Sequence, residues 1–407
     1  MTDKLNRRNF AKVTGVAAAA AAASGLSAST SQAQETKLAT VPREKYAPPP
    51  KEVIPGMAEQ AKGLKLYVES EYAPLKACMP GNPSAIMIPD PDSPEMANMF
   101  KGNMPEESLA FMRKHKHKSL ADVDPDTYGQ MKKESDALAA AFRREGVKVI
   151  RNETGKSPEG LIKLHTGWGG EPSMSLYGKS AGLVIGNCFV NMHEATTSSM
   201  QELTAREAIT EMFASHPETN WLTMPPIYPT TEHANVGPFM APEPKVFKGT
   251  VLCGIGVSDP SHIDDLTKPR SATNELAVEV LRRMLAPHGW KVKTVYFNSK
   301  FTYHIDCLVT LLEEGLMAYP KGSLWTELPE EYKDWEVIDV SMEDHKMGAE
   351  NNVVLGDKRT VVAEGTTRFK KDLEDRGWRL VEVPYATIWS TFGSGPLCST
   401  FAFWRES

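Results

Sequence analysis

Cysteine is scarce in this chain. Only Cys78, Cys188, Cys253, Cys307 and Cys398 occur in 407 residues, widely spaced and without a CxxC pair. An odd, scattered set argues against a disulfide framework and against a zinc knuckle. Most of these thiols should be small buried apolar groups. Basic excess is missing as well: the net charge is −6. Nucleic-acid binding needs clustered Lys and Arg, so no nucleic-acid partner is expected. The one basic run, "RKHKHK" at 113–118, reads as a solvated surface segment. No G-x-G-x-x-G joins a strand to a helix, "GKSAG" at 178–182 fits neither phosphate-loop spacing, and "GIG" at 254–256 is weak alone. H-x-x-x-H and H-E-x-x-H are absent, and "MHE" at 192–194 holds one histidine, so no metal is expected.

Long apolar runs are also lacking. The nearest, "VTGVAAAAAAASGL", is short and mostly alanine, too weak for a membrane anchor. It follows a twin arginine in "NRRNFAK" and precedes "STSQAQE". Ser31 and Ala33 supply the small residues of a cleavage site after Ala33. Residues 1–33 therefore read as a twin-arginine export signal, which places the mature protein in the periplasm without membrane anchoring. Residues 34–65, with "APPPKEVIP", read as a linker, and residues 66–407 as the folded domain.

What the chain does have is repetition. "DALAAAFRREGVKVI" (136–150) reads as amphipathic helix, glycine stop and strand. "NELAVEVLRRMLAPHGWKVKTVYF" (274–297) and "RFKKDLEDRGWRLVEVPY" (368–385) repeat it. "AREAITEMFASHPETNWLTMPP" (205–226) is a looser copy, and "LPEEYKDWEVIDVS" (328–341) the loosest. Short apolar strands lie between: "KACMPG", "GLVIGNCFV", "TVLCGIGV", "CLVTLLEEGLMAYP" and "NVVLGDKRTVVAEG". The fold class is α/β, in five cycles of strand, strand, helix, strand. Five such modules suggest a ring of small sheets, since closure protects strand edges. An open doubly wound sheet is the alternative, and the missing glycine-rich signatures argue against it.

Three stretches carry chemistry. "YHIDCLV" at 303–309 places His304 and Asp306 two apart at the start of an apolar run. As a strand, period-two geometry puts both on one face, a poised acid/base and charge-binding pair. A water-facing edge strand is the other reading. "TTEHANVG" at 230–237 contains Glu232, His233 and Asn235. A carboxylate there could orient an imidazole from elsewhere; the plain alternative is a turn. "STFGSGPLCST" at 390–400 crowds Gly393, Ser394 and Gly395 ahead of Cys398 in a run that otherwise reads as a buried strand. Glycines let backbone come close to the site, and a thiolate is a strong nucleophile. The other four cysteines sit inside apolar strands.

A late cysteine behind glycines, an H-x-D and an earlier E-x-[GA]-[DN] turn, in this order, resemble the guanidino-group-modifying, or pentein, superfamily. The chain is most similar to its glycine amidinotransferase type. "GSGPLCST" matches a G-G-G-x-x-C-x-T stretch, "HIDC" an H-I-D motif, and "KPRSATNELAVEVLRRMLAPHGWKV" an R-S-x-x-T-N … R-R-x-L-A-P run. "ESEYAPLKACMPGNP" looks like the family's first strand and "ENNVVLGDKR" like its penultimate one. The resemblance spans roughly residues 66–405.

It implies a five-bladed α/β propeller with a central site and no cofactor. By motif, Cys398 is the nucleophile, His304 the general acid/base, Glu232 the carboxylate that orients it and Asp306 a guanidinium ligand, with Asn235 beside the substrate. Two positions depart from the pattern. Ser180 stands where a second guanidinium-binding aspartate is expected. The arginine that grips a substrate carboxylate has no clear match, Lys321 in "YPKGS" being the nearest. The implied partners are a small guanidino substrate and an amine acceptor, while self-association is left open. An amidinotransferase is the leading expectation. A guanidino hydrolase with the same residues, and a non-catalytic guanidino-binding protein, are the alternatives.

Overall fold

The computed structural model describes residues 56–83, 86–92, 106–152, 176–192, 201–225 and 243–407. Within them the strands fall into five small sheets. Four have one plan. β4 (Leu183–Ile185), β5 (Cys188–Asn191) and β6 (Asn220–Thr223) form the first of these. β7 (Pro244–Phe247), β8 (Thr250–Val257) and β9 (Lys291–Asn298) form the next. Then come β10 (Thr310–Glu313), β11 (Leu316–Tyr319) and β12 (Glu336–Asp339), and last β13 (Val353–Gly356), β14 (Arg359–Ala363) and β15 (Arg379–Val383). In each, the first two strands form an antiparallel hairpin and the third returns parallel to the second. That is the strand, strand, helix, strand cycle expected from the repeats.

The remaining sheet joins the two ends of the described chain. β1 (Tyr67–Val68), β2 (Leu75–Pro80) and β3 (Lys148–Val149) pair with the final strand, β16 (Thr400–Arg405), in the order β1-β16-β2-β3. β16 runs antiparallel to β2, so the C-terminal strand is the hairpin partner that the first module otherwise lacks. Isolated bridges link neighbouring sheets, Val68 to Gly186 and Ser70 to Phe247 among them.

The helices form where the sequence repeats. The Glu275–Leu285 helix starts at Asn274, whose side chain accepts the amide hydrogen of Ala277 at 2.9 Å. Ala277, Val278, Leu281 and Leu285 share its buried face. The Pro125–Arg144 helix has Pro125 in its first turn and Asp124 accepting from the Thr127 amide. Its buried face carries Met131, Leu138 and Phe142. The fourth repeat becomes the helix Gln201–Ser215, the third Thr367–Glu374, and the loosest only a short 3₁₀ turn, Glu330–Tyr332.

The expected linker ends before residue 65. A five-residue helix, Met57–Ala61, buries Met57, Ala61 and then Leu64 in the core beside β4 and β5. Gln60 fixes it by exchanging hydrogen bonds with the Arg151 backbone. The apolar side chains at 57, 61 and 64 outweigh the proline-rich composition just ahead. Among the described residues no helix is long and apolar enough to cross a membrane.

Candidate active site

Cys398 lies in a turn, not in the strand its neighbours suggested. The Ala386–Phe392 helix ends at Gly393, and β16 begins only at Thr400. Between them the backbone coils tightly: the Ser399 amide donates to Gly395 O and the Thr400 hydroxyl to Pro396 O at 2.7 Å. Ser394 and Ser399 meet through their hydroxyls at 3.0 Å, both fully buried. A turn of this kind lifts the thiol off the sheet and aims it at neighbouring chain.

That neighbour is Asn351, just ahead of β13. Its Oδ1 accepts the amide hydrogens of Leu397 and Cys398, each at 3.0 Å. Its Nδ2 donates to the Cys398 sulfur at 3.0 Å and to the Cys307 sulfur at 3.1 Å. Gly395 is needed here. A Cβ at that position would sit 2.5 Å from Asn351 Oδ1. The glycine makes room for the Asn351 side-chain amide.

His304 and Asp306 do not lie on a strand. His304 is extended, and Ile305–Cys307 form a 3₁₀ turn before β10 starts at Thr310. The turn is seated on β8, where a Cβ on Gly254 would come within 2.6 Å of Ile305. This packing accounts for the first glycine of "GIG". The turn also breaks the period-two reading: the buried residues are Ile305, Asp306, Cys307 and Leu308 in succession.

The imidazole has a carboxylate partner, Glu243. His304 Nδ1 is 2.7 Å from Glu243 Oε1, and Glu243 is fully buried at the start of β7. Glu232, expected in that role, lies outside the described residues with His233 and Asn235. Burial raises the Glu243 carboxyl above its ordinary range, with His304 opposing the shift. A carboxylate of raised proton affinity holds the Nδ1 proton firmly and leaves Nε2 as the exchangeable position. Tyr303 packs edge-on against the same ring at 4.7 Å.

Asp306 is wholly buried. Its Oδ2 accepts from the Cys398 sulfur at 3.3 Å and lies 3.7 Å from Lys179 Nζ. Lys179 belongs to the 3₁₀ turn Gly178–Ala181, whose backbone is tied to the cysteine turn by the Lys179 amide donating to Cys398 O at 3.0 Å. Burial works against the Lys179 ammonium, but Glu71, Asp306 and the two thiols outweigh it and keep it charged. Ser180, beside it, makes no side-chain hydrogen bond to Cys398, His304 or Asp306 among the described residues. Lys321 is exposed in the turn after β11, its amide held by Asp339. Among the described residues the cation beside Asp306 is Lys179.

Cys307 is the other surprise. Its sulfur lies 3.5 Å from that of Cys398, and both are nearly buried. The hydrogen bond with the Cys398 sulfur, then burial and the Asp306 charge, push the Cys307 thiol well above its ordinary range. Asp306, Cys307 and Cys398 bring one oxygen and two sulfurs within 4.8 Å of one another, a donor set suited to a thiophilic ion. Cys78 and Cys253 are buried thiols whose proton affinity burial raises, as expected of core residues.

Among the described residues two buried acceptors here have no hydrogen-bond partner, Asp306 Oδ1 and Glu243 Oε2. Buried carboxylate oxygens left unpaired are costly, so the site is built to receive donors. A nucleophilic sulfur, an oriented imidazole and two open acceptors can together hold a planar cation with N–H groups and attack its carbon.

No family model matches the sequence, and no curated protein matches it. Solved structures do. The chain is similar to SxtG, an amidinotransferase from Microseira wollei in the saxitoxin biosynthetic pathway, with a TM-score of 0.63 at 17% identity over 84% of this chain and 98% of that one. It is similar to the inosamine-phosphate amidinotransferase StrB1 from Streptomyces griseus, with a TM-score of 0.62 at 19% identity over 84% of this chain and 97% of that one. AgrE, in a ternary complex with ornithine and NAD+, matches at a TM-score of 0.51 and 15% identity over 81% of this chain and 39% of its own.

Proposed function

We propose that this chain, which has the fold of the guanidino-group-modifying superfamily, is an amidinotransferase working through a covalent Cys398 intermediate. The observation that carries the reading is the buried contact of Cys398 with Asp306, two residues along the chain from a His304 held by Glu243. The Cys398 sulfur is 3.3 Å from Asp306, whose neighbour His304 is held by Glu243 at 2.7 Å. The five sheets would close as a ring around this point, with β16 as the closing strand.

In this reading a guanidinium enters with its N–H groups toward Asp306 Oδ1 and Glu243 Oε2, the open acceptors. The Cys398 thiolate attacks the central carbon, and Lys179 and the Asn351 amide offset the negative charge on sulfur. His304 protonates the departing amine from Nε2, leaving an amidino group on sulfur. The acceptor amine then enters, gives its proton to His304 and displaces the sulfur. Glu243 holds the ring in one tautomer throughout.

Lys179 bears on the donor. An ammonium has only donors, and so does a guanidinium, so the two cannot satisfy each other beside Asp306. A guanidino compound with a carboxylate or carbonyl close to its guanidine would supply the acceptor that Lys179 lacks among the described residues.

Water could resolve the same intermediate and make the protein a hydrolase. A donor labelled in its guanidino carbon, incubated with and without a primary amine, separates the two. Transfer puts the label in a new guanidine at a rate that depends on the amine. Label found only in a urea-type product, at a rate indifferent to amine, makes the protein a hydrolase.

A further inference from the structure

Of the five cysteines, all free, Cys307 and Cys398 alone meet through their sulfurs among the described residues. They lie 91 positions apart in the sequence and come from different modules, yet a single amide, Asn351 Nδ2, donates to both. The amidino-transfer reading uses Cys398 and has no task for Cys307. Cys307 ends a one-turn 3₁₀ segment and Cys398 sits in a coil between a helix and a strand. Neither is held in the middle of a regular element. A disulfide needs sulfurs about 2.05 Å apart, so a closure of roughly 1.5 Å shared between two such turns would join them.

We propose that Cys307 is the resolving thiol of a peroxide-reactive pair, and that a hydroperoxide converts Cys307 and Cys398 into a reversible disulfide. The steps balance. The Cys398 thiolate attacks one oxygen of hydrogen peroxide, the O–O bond breaks, and hydroxide leaves. Sulfur is oxidised by two electrons to the sulfenic acid, and the peroxide is reduced. The Cys307 sulfur then attacks the Cys398 sulfur, the S–O bond breaks, and the oxygen departs as water with the Cys307 proton. In sum, two thiols and one peroxide give one disulfide and two waters. A dithiol reductant reverses the change by exchange.

The roles of the two sulfurs follow from their surroundings. Lys179 reaches the cysteine turn through its backbone and stands at Asp306, beside the Cys398 sulfur. The hydrogen bond with Cys398 and burial hold the proton on Cys307. Cys398 is therefore the attacking sulfur and Cys307 the one that closes. The disulfide ties up the nucleophile and shields it from irreversible oxidation to the sulfinic acid.

The test treats the reduced full-length protein with increasing hydrogen peroxide, blocks remaining thiols with iodoacetamide, and maps the digest by mass spectrometry. The expected result is one cross-linked peptide pair containing Cys307 and Cys398, both lost from the alkylated fraction together and restored by dithiothreitol. In Cys307→Ser and Cys307→Ala, with circular dichroism matching the parent, Cys398 should be captured by dimedone as the sulfenic acid and pass to the sulfinic acid at higher peroxide. Direct conversion of Cys398 to the sulfinic acid in the parent, without cross-link, overturns the proposal. So does an oxidation profile identical in parent and Cys307 variants. The readout is a covalent mass, so it stands or falls apart from amidino transfer.

Discussion

Glu243 and Asn351 are two residues of the site that the sequence did not single out. Glu243 lies in "APEPKVF", a proline-flanked segment with no local sign of a role. It becomes the partner of His304 only because β7 and the Ile305–Cys307 turn pack together. Glu243→Gln keeps size and removes the charge that holds Nδ1. Amidino transfer should fall about 10²–10⁴-fold in kcat, measured by product formation, with circular dichroism unchanged. The same change alters stability in a definite direction. Glu243 ionises near 4.5 when unfolded and higher when folded, because burial resists its charge. The native state then binds more protons than the unfolded chain between those two values. Stability falls as pH rises through that window, and Glu243→Gln should flatten the fall in urea midpoints taken from about pH 4 upward.

Asn351 has separable jobs. Asn351→Asp keeps the acceptor for the Leu397 and Cys398 amides but replaces the donor to the sulfurs with an oxygen. Asn351→Leu removes both. The leucine variant should be destabilised by roughly 1–3 kcal/mol in denaturant unfolding, since the buried Cys398 amide loses its acceptor and the Leu397 amide keeps only the Asn351 backbone carbonyl. The aspartate variant should unfold much nearer the parent while losing most of its turnover. Equal destabilisation of the two would mean that the amide acceptor is not what holds the cysteine turn.

At the scale of elements, the helices and return strands were legible because each repeat carries its own signals. An apolar helix face, a glycine stop and an apolar strand recur in sequence order, and local propensity and packing agree there. The functional turns were not legible. "HIDCLV" and "GPLCST" are apolar enough to read as strands, and only contact with distant chain makes them turns. His304, Asp306 and Cys398 were nonetheless recognisable as a set by residue type and order. Cys307 was read as core because an isolated apolar run says nothing of what lies opposite. The cysteine turn itself yields a sharp test. In Gly395→Ala the new methyl meets the Oδ1, Cβ and Cγ atoms of the Asn351 side chain at 2.5–2.9 Å. The turn or Asn351 must shift, so stability should drop by about 1–3 kcal/mol and activity with it. A fully stable and active Gly395→Ala would show that the close approach is dispensable.

Over the whole molecule, chain ends far apart in sequence are brought together: β16 pairs with β1 and β2, and buried Arg405 donates to Ala73 O and Val354 O. The site therefore draws on β7 and β8, the turn before β10, the approach to β13, and the turn before β16. Such a site needs the complete fold before any of its residues meet. We propose export of the already folded protein from Arg7 and Arg8 alone. Replacing both arginines with lysine should leave the protein in the cytoplasm on fractionation; unchanged export in that variant would remove the twin-arginine reading.

The central claim is a covalent amidino group on Cys398. Its most direct measurement is intact-protein and peptide mass spectrometry after rapid acid quench of the reduced enzyme with guanidino donors, arginine included, in the absence of acceptor amine. The account predicts an added amidino mass on the peptide containing Cys398, discharged when a primary amine is supplied before the quench and absent in a folded Cys398→Ala variant. Turnover of a guanidino donor with no adduct on Cys398, or turnover that persists in Cys398→Ala, would contradict it.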